Sequence, residues 1–291
     1  MTFKEKLKSA KFILTSEIGP PKGIEIETIL EEAELLRTRV DAINVTDLQS
    51  SVMRLGSLAV CILLKQKGIE PIYQITCRDR NRLALQSDLL SASVFGIENV
   101  LILTGDHPTL GDHPQAKPVF DLDSVQLLQV AKKLTQGFDM QGNKLEGKAP
   151  QFCLGAVVNP GADPLEPQII KMEKKILAGA EFFQTQAIYD VKVFENFLSK
   201  IKHLKVPILA GIVLLKSAAM AKYMNENVAG ISVPQNLIDQ IASVSKEDRP
   251  KKSIEIASRL IKELKPLCQG IHIMPLGWTK LVPQVLELAG L

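Results

Sequence analysis

Eight short apolar runs alternate with segments of helical periodicity along all 291 residues. The runs are 12–17, 40–46, 71–76, 100–104, 152–158, 182–185, 206–212 and 270–274. Each suits a buried strand and is too short for a helix. Between them apolar residues return at three/four spacing, as at Ile26, Ile29, Leu30, Ala33 and Leu36, which marks one helix face. Helices are expected over 26–39, 53–67, 80–95, from Asp123, and over 167–177, 191–201, 217–224, 235–244, 252–264 and 280–288. Strands this apolar need both faces covered, as parallel strands in α/β folds have. The chain is therefore expected to be α/β, a (β/α)8 TIM barrel filling 1–291 as a single domain. The alternative is an open doubly wound sheet. That fold usually places Gly-x-Gly-x-x-Gly after its first strand, and Gly19-Pro-Pro-Lys-Gly23 is not that pattern.

Composition narrows the function. Hydrophobic residues make up 46% and charged residues 23%, ordinary for a globular protein. A formal charge of +3 without a Lys/Arg block argues against nucleic acid and leaves anionic small ligands open. No apolar run reaches membrane-spanning length, and Met1-Thr-Phe-Lys-Glu-Lys6 lacks a signal-peptide core, so a cytoplasmic protein is expected. The four cysteines form no Cys-x-x-Cys, which argues against an iron–sulfur or structural zinc site within this chain. Cys61 and Cys153 lie in apolar runs and read as core; Cys77 sits at a strand end.

Barrels of this class keep their chemistry where the strands end. The residues there are Glu17, Thr46-Asp47, Thr76-Cys77-Arg78, Thr104-Gly105-Asp106, Asn159, Gln184, Gln186 and His272. Acids, amides and hydroxyls without a nucleophile–base pair suit a polar heterocycle and the movement of a proton or hydride. Asp106 follows a buried strand and Gly105 directly, so its carboxylate is expected where solvent is restricted. Lys171, Lys174 and Lys175 share a helix and read either as a solvated face or as contacts to a phosphate. Trp278 reads as a core lid or a stacking platform, and His203 as a surface residue. Asp106-His-Pro108 and Asp112-His-Pro114 form a near-repeat that reads as a stiff loop rather than a metal site. No Gly-x-Ser-x-Gly supports a serine hydrolase. Lys216 is the candidate for a Schiff base.

Six segments in order carry a family likeness. Ser16-Glu17-Ile-Gly-Pro-Pro21, Asn44-Val-Thr46, Ile75-Thr-Cys77, Leu103-Thr-Gly-Asp106, Ala178-Gly-Ala180 and Thr185-Gln186 resemble methylenetetrahydrofolate reductase. Cys77-Arg-Asp-Arg-Asn-Arg82, Gln86-Ser-Asp-Leu-Leu90 and Asp112-His-Pro-Gln-Ala-Lys117 resemble the form found in acetogens and related anaerobes. The resemblance implies a (β/α)8 barrel holding a flavin, FAD rather than FMN, and reducing 5,10-methylenetetrahydrofolate to 5-methyltetrahydrofolate. It implies that Glu17 protonates the folate, that Asp106 lies by the flavin ring and pterin, and that Gln186 holds the pterin, with Gln184 and Trp278 beside the substrate. It implies a flavin lining of Thr46, Asp47, Gln74, Thr104, Gly105, Asp106, Phe120, Asp121, Asn159, Asp163, Lys171, Lys174 and Lys175. No metal is implied in this chain. Thr185-Gln186 is followed by Ala187-Ile188 where well-studied bacterial forms have aromatics. Ala218 stands near their phenylalanine and Trp278 where they have an arginine. These departures point from direct use of NAD(P)H toward a reduced electron-transfer partner, such as an iron–sulfur or zinc-containing subunit, or toward a homo-oligomer. The other readings are a barrel enzyme on an anionic small molecule, such as an aldolase or a pterin-binding methyl transferase, and a non-catalytic subunit.

Overall fold

The computed structural model describes residues 1–9 and 11–291. Eight parallel strands close into one barrel in sequence order: β1 (Ile13–Ile18), β2 (Ala42–Val45), β3 (Pro71–Thr76), β4 (Asn99–Leu103), β5 (Cys153–Val158), β6 (Phe182–Ala187), β7 (Ile208–Val213) and β8 (Gly270–Met274). β8 pairs back onto β1, with Ile13 opposite Gly270 and Ser16 opposite Ile273. The expected barrel is thus found, and the open sheet is excluded. The helices are α1 (Phe3–Lys8), α2 (Glu27–Leu36), α3 (Ser57–Gln66), α4 (Arg82–Val94), α5 (Ser124–Thr135), α6 (Glu166–Leu177), α7 (Val191–Lys200), α8 (Ala218–Asn227), α9 (Gln235–Ala242), α10 (Arg249–Leu264) and α11 (Val282–Ala289). No described helix is long and apolar enough to cross a membrane.

Side chains alternate along each strand, so one set faces the helices and the other fills the barrel. The outer set builds the large core with the helices, including Ile43, Val45, Ile75, Ile102, Phe183 and Ile212. The first inward residues build a smaller core of Ile13, Ala42, Ile72, Leu101, Cys153, Phe182 and Leu209. Phe3 and Leu7 of α1 complete it from below, Phe3 meeting the edge of Phe182 at 5.5 Å between ring centres. Gly155 makes room for that floor, since a Cβ there would lie 2.3 Å from Phe182 Cζ. The lower half of the barrel is therefore dry and filled. Chemistry is left to the upper half.

Several boundaries differ from the expected ones for local reasons. The helix expected from residue 53 starts at Ser57, because Gln49–Ser51 form a tight 3-10 turn. The helix expected from residue 80 starts at Arg82, because Asn81 Oδ1 accepts from the Leu83 and Ala84 amides at 3.1 Å. The helix expected from Asp123 starts there as α5, where Asp123 and Gln126 form a capping box. Between α5 and β5 the chain carries one antiparallel bridge, Phe138 to Lys144.

Candidate active site

The upper ends of the strands surround a cavity of about 590 Å³, within the size range of small-molecule sites. Glu17, Thr46, Asp47, Gln74, Thr104, Gly105, Asp106, Asn159, Lys171, Lys175, Gln184 and Gln186 all line it. Residues from β1 to β6 and from α6 thus meet in one place, as the barrel geometry requires.

The lining residues are not equivalent. Glu17 is buried, accepts from Gln49 Nε2 at 3.4 Å and lies 3.7 Å from His272 Nε2. Thr46 Oγ1 is buried without a hydrogen-bond partner, an open polar position on the cavity wall. Gly105 has φ +90°, and a Cβ there would press on the Thr76 and Arg78 Cβ atoms at 3.1 Å. Only glycine turns the chain off β4 this close to the wall. Lys175 is buried and donates to the Val157 carbonyl at 2.6 Å. Burial, aided by the Lys171 charge, pulls its ammonium down to about 8.

Four assigned side chains are already engaged or placed otherwise. Asp47 accepts from the Thr76 amide (2.9 Å), Thr76 Oγ1 (3.0 Å) and both terminal nitrogens of Arg80 (2.8 and 3.1 Å). It holds β2, β3 and Arg80 together. The Gln184 amide is taken up by Asn44 and Thr15 inside the barrel. The Asn159 amide pins the turn at 229–230 through the Ala229 carbonyl, 2.8 Å away. Asp106, expected where solvent is restricted, is exposed at the rim. Gly105 carries the chain outward after β4, and Arg78 Nη1 holds the Asp106 carbonyl at 3.2 Å, leaving the carboxylate in water.

Phe120, Asp121, Asp163, Lys174 and Trp278 do not line the cavity. Asp121 closes a surface pair with Arg82, while Phe120 stacks on His107 with ring centres 6.5 Å apart. Asp163 lies in a separate groove beside α6, and Lys174 is exposed, about 100° round the helix from Lys175. Trp278 is half-buried under the Lys216 ammonium, 5.4 Å from its ring centre. Lys216 itself donates to the Leu276 carbonyl away from the cavity, which does not suit a Schiff base. His203 is at the surface with Glu173. No group of three His, Cys, Asp or Glu suited to a metal occurs among the described residues.

Arg78, Gln49 and Gln168 also line the cavity, and of these only Arg78 was expected at the strand ends. Arg78 is fully enclosed, pairing with Asp79 at 2.7 Å and reaching the Leu48 carbonyl at 3.3 Å. It fixes the turn that carries Gln49 to Glu17, where Leu48, Ser50 and Ser51 have φ of 46°, 56° and 58°. Strained non-glycine backbone of this kind gathers at functional sites. Gln168 of α6 completes the lining. The burial of Arg78 and the strained turn are tertiary features, and no spacing in the chain announces them.

A profile of the methylenetetrahydrofolate reductase family matches residues 2–290. The chain belongs to that family. Methylenetetrahydrofolate reductase 2 of Schizosaccharomyces pombe is 24% identical over 99% of this chain and 47% of its own length. A probable NADPH-type methylenetetrahydrofolate reductase of Caenorhabditis elegans is 22% identical over 86% of this chain and 36% of its own. The chain thus spans less than half the length of these two relatives. Among solved structures, a Clostridium thermocellum protein described as binding two copies of 5-methyl-5,6,7,8-tetrahydrofolic acid superposes with TM-score 0.63, at 20% identity over 98% of this chain and 96% of that one. A 2,3-dimethylmalate lyase gives TM-score 0.54 at 12% identity over 99% of this chain and 83% of that one. Both share the barrel.

The chain's four cysteines are packed inside the protein. Cys61, Cys77, Cys153 and Cys268 are free and buried. Burial pushes the Cys77 and Cys153 thiols up to about 12 and the Cys268 thiol to about 11. Because the thiolate is the reactive form, the native protein is expected to resist an aromatic disulfide reagent at neutral pH. All four thiols should react after denaturation. Fast labelling of Cys77 in the native state would contradict this.

Proposed function

We propose that this chain reduces 5,10-methylenetetrahydrofolate to 5-methyltetrahydrofolate with a bound flavin, FAD rather than FMN. The observation that carries the proposal is a buried acid, Glu17, at the wall of a polar cavity in a chain of this family. The residues fit a flavin. Thr46 Oγ1 is an unmatched hydrogen-bonding group on the wall, and Lys171 and Lys175 supply cations for phosphates. When bound, the flavin supplies hydride.

The chain's own residues do the rest. Glu17 presents a proton to a folate nitrogen, and loss of that C–N bond turns the methylene bridge into an iminium, the hydride acceptor. Gln186 lines the cavity at the end of β6, where it can hold the pterin. Asp106 at the rim favours a cationic folate by charge, weakly, because water screens it. The electron donor is read as a reduced partner subunit rather than NAD(P)H, on the Ala187-Ile188 and Ala218 departures.

Retention of flavin tests the reading directly. The protein, stripped and remixed with FAD or FMN, should hold FAD more tightly on ultrafiltration. Failure to hold either would overturn the proposal.

Lys175 adds a graded test. Its proton is held less firmly in the folded chain than in the unfolded one, so folding stability rises with pH from about 8 toward the ordinary lysine value of 10.5. Below about 8 the full cost of the buried charge is present. Lys175→Met should therefore leave the melting temperature at pH 7 unchanged or raised, while weakening FAD. Wild-type FAD affinity should also fall as pH rises through about 8. A destabilised variant with normal FAD affinity would make Lys175 a purely structural residue.

A further inference from the structure

Two neighbouring helices of the outer ring expose no charge. The exposed residues of α4 are Leu83, Ala84, Ser87 and Val94. Leu83 is 73% and Val94 81% exposed, and Phe95 continues the strip just past the helix. α3 exposes Ala59 and Gln66, with Leu58, Ile62 and Leu63 half-buried beside them. Each of the other helices carries at least one exposed charged residue, as an outer helix facing water ordinarily does. The charges that α3 and α4 do have are spent within the chain. Arg82 pairs with Asp121 at 2.7 Å, Asp88 with Arg80 at 2.9 Å and Lys65 with Glu70 at 2.8 Å. The two helices lie side by side, and a Cβ on Gly96, just past α4, would stand 3.6 Å from Lys65 Cε of α3. Their outer faces thus form one patch. Apolar residues scattered singly on a surface are ordinary, but a contiguous patch marks a surface that meets another protein.

We propose that this face binds the same face of a second copy of the chain, with the two α4 helices antiparallel across a two-fold axis. The spacing of the outer stripe carries the choice of occupant. Leu83, Ser87, Leu90 and Val94 recur after four, three and four residues, the spacing of a helix–helix seam. Run backwards against itself, the stripe sets Leu83 opposite Val94 and Ser87 opposite Leu90. A small side chain then meets a large one at the centre, and apolar meets apolar at the ends. A two-fold contact requires such self-complementarity, whereas a partner of another sequence makes no such demand on the stripe. The charges agree. Glu98 is exposed just past the C-terminal end of α4. Antiparallel pairing carries it to the N-terminal end of the other copy's α4, where Arg82 and the positive end of the helix dipole lie. The N-terminal end of α4 follows β3 at the mouth, so the seam turns the two mouths to opposite ends of the dimer and leaves both open. Nothing in this contact depends on what the cavity binds.

Sedimentation equilibrium of the full chain over a wide range of concentrations tests the proposal, with Ser87→Arg and Ser87→Glu beside wild type. Ser87 is exposed, so both variants should keep the wild-type far-UV circular dichroism. Wild type should sediment as a dimer. Each variant alone sets two like charges near the centre of the seam, and its dimer should weaken about a hundredfold or more. An equimolar mixture of the two variants should recover the dimer, because opposite charges then face each other across the axis. Mixing cannot repair damage to the fold, so recovery reports the seam itself. Should the variants at position 87 fail to fold, Leu83→Arg and Val94→Glu serve in the same way. Each weakens the dimer alone, and their mixture sets the two new charges against each other at one end of the seam. Wild type that is monomeric at every concentration would overturn the proposal. So would a wild-type dimer that the variants leave intact, or variants that fold but do not pair on mixing.

Discussion

Glu17→Gln is expected to fold, to keep flavin, and to reduce methylenetetrahydrofolate about 10²–10⁴ times more slowly, the usual cost of losing a general acid. The amide matches the carboxyl in size and still accepts from Gln49, so the cavity wall is preserved. What disappears is the proton. The loss should fall on the folate half of the reaction, with reduction of the flavin by an artificial donor unaffected. Asp106→Asn should cost less, because its carboxylate is exposed while Glu17 is buried. Folate turnover within a fewfold of wild type in Glu17→Gln would remove Glu17 from the chemistry.

Asp47→Ala is expected to unfold the protein more readily, by about 3–5 kcal/mol, the usual consequence of leaving one member of a buried ion pair alone. The Asp47 side chain is fully enclosed, whereas that of Arg80 is 19% exposed. Removing the carboxylate strands the Thr76 amide, leaves the Thr76 hydroxyl only Asp79 at 3.4 Å, and leaves Arg80 only Asp88 at 2.9 Å. Chemical denaturation of the flavin-free chain measures the loss without reference to turnover. Asp47→Asn should lose less, since one amide oxygen still accepts. A loss below about 1 kcal/mol in Asp47→Ala would show that the pair's desolvation cost had cancelled its attraction.

The barrel was legible because its strands are apolar on both faces, a pattern that only covered parallel strands satisfy. The convergence of Glu17, Thr46 and Gly105 on one mouth followed from the barrel alone, whereas Gln74 came only with the family resemblance. Helix α1 was missed although Thr2 and Glu5 form a capping box and Phe3 and Leu7 are one turn apart. Six residues give too little periodicity to stand out, and the value of Phe3 lies in Phe182, far along the chain. Asp106 was placed in the wrong surroundings because the direction of a turn after glycine depends on Arg78, which holds the next carbonyl. Gln184 and Asn159 were placed correctly at the mouth, but sequence cannot tell an amide aimed at a ligand from one spent on a neighbour. Trp278 and Asp163 fell outside the cavity because loops beyond the strand ends carry them sideways.

Anaerobic mixing of FAD-loaded, chemically reduced protein with 5,10-methylenetetrahydrofolate tests the central claim most directly. Flavin absorbance should return as 5-methyltetrahydrofolate forms, one molecule per flavin, and Glu17→Gln should keep the flavin reduced. Flavin that stays reduced in wild type, with no methyltetrahydrofolate formed, would contradict the account.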